Sequence, residues 1–156
     1  MYCYTHLEDF IRNLYINIGI TKIEQLNIYT ISRRLKLKVI YAPFKSFCNG
    51  NMICIDSRIS KERQWQEFIH ELCHFLLHSG NQLGVPPAFR QYQEWKAENF
   101  TYQACVPTYM LDELCNIHKL RLSVQMIQVL FNVEEHIAIK RFEQYTEKRR
   151  FIIKIV

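Results

Sequence analysis

Apolar residues recur at helical spacing near the start of the chain and form short runs bounded by turn residues further on, which predicts helices followed by a short sheet. Leu7 to Ile18 is amphipathic and ends at Gly19. The capping-box pattern from Thr21 to Glu24 predicts a second helix that continues to about Leu35. The chain is therefore expected to begin with two helices.

The next segment has the character of a small sheet. Lys38 to Tyr41 predicts a strand, and Asn49-Gly50 predicts a hairpin turn between Phe47-Cys48 and Met52 to Ile55. The second hairpin strand leads directly into a helix. Asn51 to Asp56 is therefore our candidate for a sheet edge that receives an extended peptide. An ordinary strand with neighbours on both sides is an equally open alternative.

Two longer helical patterns occupy the middle of the chain. Ser60 is placed to cap the first helix, which is apolar around much of its circumference and is expected to end at Gly80. Residues 80–90 predict a loop by composition. Helical spacing resumes from Gln91 to about Cys105 and stops before Pro107.

The C-terminal third is expected to be helical. Ser123 can cap a helix from Val124 to Phe131, and a turn then leads into a longer helix from Glu134 to about Lys148. This is helix-turn-helix spacing, but acidic residues begin the second helix, where they would face DNA phosphates. We therefore favour packing on the core, or docking of a partner, over direct nucleic-acid binding. Residues 151–156 resemble a terminal strand or tail.

Composition fits a single domain over residues 1–156. With 49% hydrophobic and 13% aromatic residues, a chain of 156 residues can fill one substantial core. It contains neither an apolar run of membrane-spanning length nor the layout of a signal peptide. Six cysteines without framework spacing predict free thiols in a reducing cytoplasm. The net charge of +5 permits an acidic partner, although a solvated basic face explains it more simply.

The stretch from His70 to His74 has the pattern His-Glu-x-x-His. Histidines four apart share one helix face and can bind one zinc ion. Glu71 lies about 100° round the helix, where it can act as a general base on a water rather than as a ligand. The alternative is a helix with two surface histidines, but unpaired imidazoles and a carboxylate in so apolar a helix would be costly.

A catalytic zinc also needs a third protein ligand and an open fourth position. The following helix carries Glu94 and Glu98, four apart on one face, and geometry alone does not choose between them. His78 continues the histidine series but lies a full turn beyond His74. A helix does not bend three consecutive turns onto one ion, so we interpret His78 as a structural histidine or one at the rim of the site.

With these residues the chain resembles the ImmA/IrrE-type metallopeptidases of mobile elements, phages and bacterial stress regulons. In that family the ligand Glu opens a Glu-x-x-Ala-x-x-Phe run, which corresponds here to Glu94 to Phe100, followed by a hydrophobic stretch that ends at Pro107. The resemblance extends over most of the chain and implies Glu94 as the third zinc ligand, with Glu98 as the fallback. Three positions depart from the family pattern, but none removes a required group: Cys73, Glu98 and Thr101.

The resemblance implies an α+β fold, a small gluzincin-like domain that is mostly helical with a short, roughly three-stranded antiparallel or mixed sheet. It also implies a Zn²⁺-dependent endopeptidase that cleaves the helix-turn-helix repressor of a mobile element or prophage and so derepresses it. The rival hypothesis is a non-proteolytic metal-binding regulator that binds a repressor or DNA. Glu71 argues against it, because a binding module has no use for a general base. Tyr102, Tyr109 and His118 are candidates by residue type for stabilising the oxyanion.

Overall fold

The computed structural model describes residues 4–77, 85–118 and 121–153. These residues form the following elements in chain order: α1 (His6–Asn17), a 3₁₀ turn (Ile23–Gln25), α2 (Ile28–Arg34), β1 (Lys38–Ala42), β2 (Phe47–Asn49), β3 (Met52–Asp56), α3 (Lys61–Leu77), α4 (Pro87–Cys105), α5 (Thr108–Asp112), a π-helical turn (Glu113–Ile117), α6 (Val124–Phe131) and α7 (Glu135–Ile153). The predicted α+β class, mostly helical with a small sheet, is confirmed. His78, the predicted helix end at Gly80 and residues 154–156 lie outside the described residues.

The chain divides into two compact units, one of residues 27–101 and the other of residues 1–26 with 102–156. The first unit contains the sheet, whose strand order is β1-β3-β2. β3 pairs in parallel with β1 and antiparallel with β2. Gly50, with a φ of +58°, takes the first position of the two-residue turn between β2 and β3, where a positive φ favours glycine.

The prediction that Asn51 to Asp56 forms a sheet edge is wrong, because β3 is the central strand and has a neighbour on each side. The alternative, an ordinary strand paired on both sides, is correct. Ile53, Cys54 and Ile55 are all fully buried, as expected for a strand covered on both faces. The strand that ends the sheet on the hairpin side is β2.

α3 begins where its sequence signal places it, since the Ser60 hydroxyl accepts a hydrogen bond from the Arg63 N–H at 3.2 Å. It buries Trp65, Phe68, Ile69 and Leu72. α4 starts four residues earlier than predicted, at Pro87 rather than Gln91. Proline is tolerated at the first helical position because its missing N–H has no partner there in any case.

The predicted second helix from Thr21 to Leu35 is interrupted. The Gln25 side-chain oxygen accepts hydrogen bonds from the main-chain N–H groups of Thr21 and Lys22, at 2.8 and 3.0 Å, and closes the 3₁₀ turn. Asn27 then caps α2 by accepting a hydrogen bond from the Thr30 N–H at 2.8 Å. Two separate caps therefore replace one continuous helix.

The second unit is helical throughout its described elements, as predicted for the C-terminal third. Its buried polar centre is Arg141, which is only 1% exposed. The guanidinium donates to the Val106 carbonyl at 2.9 and 3.0 Å and to the Thr108 hydroxyl at 3.1 Å. That hydroxyl in turn donates to Glu8 at 2.8 Å. Residues 151–153 continue α7, so the terminal strand or tail expected for residues 151–156 does not begin at residue 151.

Two further features bear on the predictions. Cys48, Cys54, Cys73, Cys105 and Cys115 are all free thiols. Within the described parts of the chain, no helix combines the length and the apolar character needed to cross a bilayer. The assignment of residues 1–156 to one domain, with its C-terminal third packed on the core, stays a prediction.

Candidate metal centre

Three side chains of the unit 27–101 converge on one point: His70 and His74 from α3 and Glu94 from α4. The Nε2 atoms of the two histidines are 3.2 Å apart. Nε2 of His70 lies 3.2 Å from Oε2 of Glu94, and Nε2 of His74 lies 3.4 Å from Oε1 of the same carboxylate. Both imidazoles point the same way because they are one helical turn apart.

These distances fit three ligands of a tetrahedral zinc ion. Zinc–ligand bonds of about 2.0–2.2 Å place neighbouring ligand atoms of a tetrahedron about 3.3–3.6 Å apart. The observed separations are 3.2, 3.2 and 3.4 Å. Hydrogen bonding alone explains the arrangement less well. Both Nε2 atoms would have to carry a proton and donate it to the Glu94 carboxylate while they lie only 3.2 Å from each other. The donor set of two imidazoles and a carboxylate is also one that zinc prefers.

The candidate ligands differ in their access to solvent. The His74 side chain is 9% exposed, whereas that of His70 is 29% exposed and that of Glu94 is 51% exposed. The His74 side of the site is therefore buried in the core, and the Glu94 side opens to solvent. Glu98, the fallback ligand, is an exposed residue of α4 and does not belong to the cluster that holds Glu94.

Glu71 is half-buried beside this cluster. Burial and the negative charges of Glu94 and Glu67 raise its pKa from the ordinary 4.5 to about 7. The positive charge of Lys45 and a hydrogen bond from the Cys48 main-chain N–H oppose this rise. A carboxyl group with a pKa near neutrality can both accept and release a proton at physiological pH.

Sequence reasoning did not identify the groups around Glu71. Cys48 lies on β2, and its contribution is a main-chain N–H, which no residue type reveals. Lys45 lies on the connection between β1 and β2. Both follow from the position of β2 beside α3 rather than from a motif.

The three candidates for an oxyanion donor belong to the other unit, 1–26 with 102–156. The Tyr109 hydroxyl donates to the Ile20 carbonyl at 3.2 Å, and burial raises its pKa well above the usual range. Tyr102 is half-buried in α4, and His118 is exposed. The choice among them stays open.

Comparisons with known proteins show which family the chain belongs to. Residues 23–143 match the IrrE N-terminal-like domain of a peptidase family. The uncharacterized protein YqaB of Bacillus subtilis strain 168 is 36% identical over 151 residues, which cover 94% of this chain and 88% of that protein. The phage-like element PBSX protein XkdA of the same organism is 32% identical over 149 residues, covering 93% of this chain and 75% of that protein. The chain therefore belongs to the peptidase family of the IrrE N-terminal-like domain.

Proposed function

We propose that the chain is a zinc-dependent, site-specific endopeptidase that cleaves a helix-turn-helix repressor and so derepresses a mobile element or prophage. The observation that carries the proposal is the convergence of His70, His74 and Glu94 at tetrahedral spacing, with Glu71 beside them. Family membership supports peptide hydrolysis. The relative from a phage-like element supports the setting. Free thiols support a cytoplasmic location.

In this mechanism His70, His74 and Glu94 would hold the zinc ion. When bound there, zinc would lower the pKa of a coordinated water and polarise the scissile carbonyl. Glu71 accepts a proton from the attacking water and passes it to the amine that leaves, so its carboxylate is needed in both protonation states. The Cys48 N–H holds one carboxylate oxygen of Glu71, which orients the group for this transfer.

The test is co-expression with candidate helix-turn-helix repressors, followed by mass spectrometry of the repressor fragments. We expect a single cleavage site. Glu71→Gln should abolish cleavage while about one zinc per chain remains bound, because the base is not a ligand. Repressor that stays intact with the zinc-loaded protein, or cleavage that survives in Glu71→Gln, would contradict the proposal.

Zinc content separates the two glutamates of α4. Glu94→Ala should lose the metal, as should His70→Ala and His74→Ala, when elemental analysis is made on freshly purified protein. Glu98→Ala is the matched control, since it removes a carboxylate one helical turn away on the same helix. If Glu98→Ala releases zinc and Glu94→Ala does not, the third ligand is Glu98, one helical turn further along α4.

A further inference from the structure

A cavity of about 400 Å³ opens on the unit of residues 1–26 and 102–156, which is not the unit that holds the candidate metal centre. We call it the polar cavity. Its walls come from the N-terminal segment, α1, α5 and the π-helical turn, and they carry both charged and apolar groups: Tyr4, Arg12, Ile16, Tyr109, Glu113 and Asn116. The volume lies within the range of small-molecule sites, which is about 300–1,000 Å³.

Asp112 also lines the polar cavity and holds one of its walls in place. Its carboxylate accepts hydrogen bonds from the Tyr4 hydroxyl at 2.7 Å and the Tyr145 hydroxyl at 2.9 Å, and it pairs with Arg149. The Tyr4 ring in turn lies beside the Arg12 guanidinium, whose carbon is 5.6 Å from the ring centre. The charge of Asp112 is therefore already compensated, and Arg12 is positioned by a ring that is itself fixed.

Arg12 and Glu113 bring opposite charges to the polar cavity. Both residues are exposed, and neither forms an ion pair within the parts of the chain that the structure describes. Burial and the negative charge of Glu113 raise the pKa of Tyr109, whereas the positive charge of Arg12 lowers it. Both charges therefore act on one hydroxyl of the cavity wall. A ligand bound there meets a cation and an anion without having to break an existing ion pair.

The π-helical turn is a second indication of a binding site, independent of the volume of the cavity. The His118 main-chain N–H donates to the Glu113 carbonyl at 3.2 Å, which is the bond from residue i+5 to residue i that defines such a turn. Turns of this kind are rare and occur frequently at functional sites. Glu113 and Asn116 both belong to the turn and line the polar cavity. The unusual backbone therefore borders the cavity itself.

We propose that the polar cavity binds a small zwitterion, a molecule that carries both an ammonium group and a carboxylate, as a short peptide with free ends does. Arg12 binds the carboxylate, because a guanidinium matches its planar geometry, and Glu113 binds the ammonium. Ile16, which is 45% exposed, contacts an apolar part of the ligand. The Asn116 amide can both donate to and accept from a peptide bond. This inference does not depend on the proposed function.

The experiment is calorimetry with three related probes and Glu71→Gln protein, which is used so that no probe is hydrolysed. Leucyl-leucine carries both charges, N-acetyl-leucyl-leucine lacks the ammonium, and leucyl-leucine amide lacks the carboxylate. Leucyl-leucine should bind with a Kd of about 1 mM or tighter. Each blocked probe should bind about tenfold more weakly, as expected when one charged hydrogen-bonding pair is lost.

Two variants made in this background locate the binding site. Glu113→Gln should weaken leucyl-leucine about tenfold and should not weaken the N-acetyl probe, which has no ammonium to lose. Arg12→Gln should weaken leucyl-leucine by a similar factor and should not weaken the amide probe. Binding that each variant retains for one probe also shows that the variant is folded. Lys140→Gln and Glu143→Gln are the matched controls, since each neutralises an exposed charge of α7 in the same unit but outside the cavity lining.

No binding of leucyl-leucine at about 10 mM would overturn the inference. Binding that neither Arg12→Gln nor Glu113→Gln changes would also overturn it, because the dipeptide would then bind elsewhere. Control variants that lose as much affinity as these two would show general electrostatic attraction and reject the site. Free L-leucine is the fourth probe. If it depends on Arg12 and Glu113 and binds as tightly as leucyl-leucine, the ligand is a free amino acid, and if it binds more weakly, the ligand is a short peptide.

Discussion

Glu71 should lower the stability of the metal-free protein at high pH. A carboxyl group with a folded-state pKa above its unfolded value binds more protons when folded, so stability falls as pH rises between the two values. For Glu71 these values are the ordinary 4.5 and about 7. At about 1.4 kcal/mol for each tenfold change in proton affinity, ionisation above this window costs about 3 kcal/mol. Glu71→Gln removes that cost and keeps an acceptor for the Cys48 N–H.

The variant should therefore be more stable than the wild type at pH 8 and equal to it near pH 4, where Glu71 is protonated. Thermal unfolding in the presence of a chelator measures the difference, which should reach about 6–12 °C at pH 8 for a chain of this length. Adding zinc should reduce this difference between the thermal midpoints of the variant and the wild type, because a nearby cation favours the ionised carboxylate. Glu98→Gln, which removes an exposed carboxylate of α4, should change stability by less than about 0.5 kcal/mol at either pH.

A constant difference between variant and wild type across this pH range would refute the reasoning. It would mean that packing, rather than charge, sets the effect of Glu71. A variant that is less stable than the wild type at pH 8 would refute the burial argument itself.

Three further predictions concern groups outside the candidate metal centre. Arg141→Met should lower the free energy of unfolding, measured with urea, by about 3 kcal/mol or more, because the Val106 carbonyl and the Thr108 hydroxyl stay buried without the guanidinium that donates to them. A loss under about 1 kcal/mol would show that water replaces the guanidinium. Hydrogen bonds from Arg58 lower the pKa of Asp56 to about 2, so its stabilising effect is complete above the ordinary pKa of 3.8 and is lost as pH falls towards 2. Asp56→Asn should be less stable than the wild type at pH 7, and acid titration of the thermal midpoint should show the two converging near pH 2. Neutralising Arg149 and Arg150 should leave repressor cleavage largely intact. If a gel shift at two salt concentrations instead shows DNA binding that this change weakens, the protein binds DNA directly.

Elements with a strong local signal were predicted closely. Ser123 caps α6 by accepting a hydrogen bond from the Met126 N–H at 3.2 Å, and α6 runs from Val124 to Phe131 as the sequence indicates. Asn132 ends that helix in the left-handed conformation, with a φ of 51°. Such caps depend on residues within one turn of each other, so they can be predicted directly from the sequence.

Pairing between distant strands has no such local signal. The hairpin between β2 and β3 was predictable, although its turn is Gly50-Asn51 and not the predicted Asn49-Gly50. The parallel partner of β3, in contrast, is β1, which comes earlier in the chain. Only the unbroken apolar run of β3 indicates a strand covered on both faces, and it permits several partners. The interruption near Asn27 was harder still, because two overlapping cap signals compete there and the sequence alone does not rank them.

The residues of the candidate site also differ in how far the sequence alone predicts their positions. His70 and His74 are fixed relative to one another by one turn of α3, so their shared face follows from sequence alone. Glu94 comes from a second helix, α4, and the family spacing, not the helix pattern, singled it out over Glu98. The environment of Glu71 depends on a third element, β2, whose main-chain N–H no motif describes. Hence His70, Glu71 and His74 could be proposed as site residues from the sequence, whereas the raised pKa of Glu71 and its hydrogen bond from the Cys48 N–H could not.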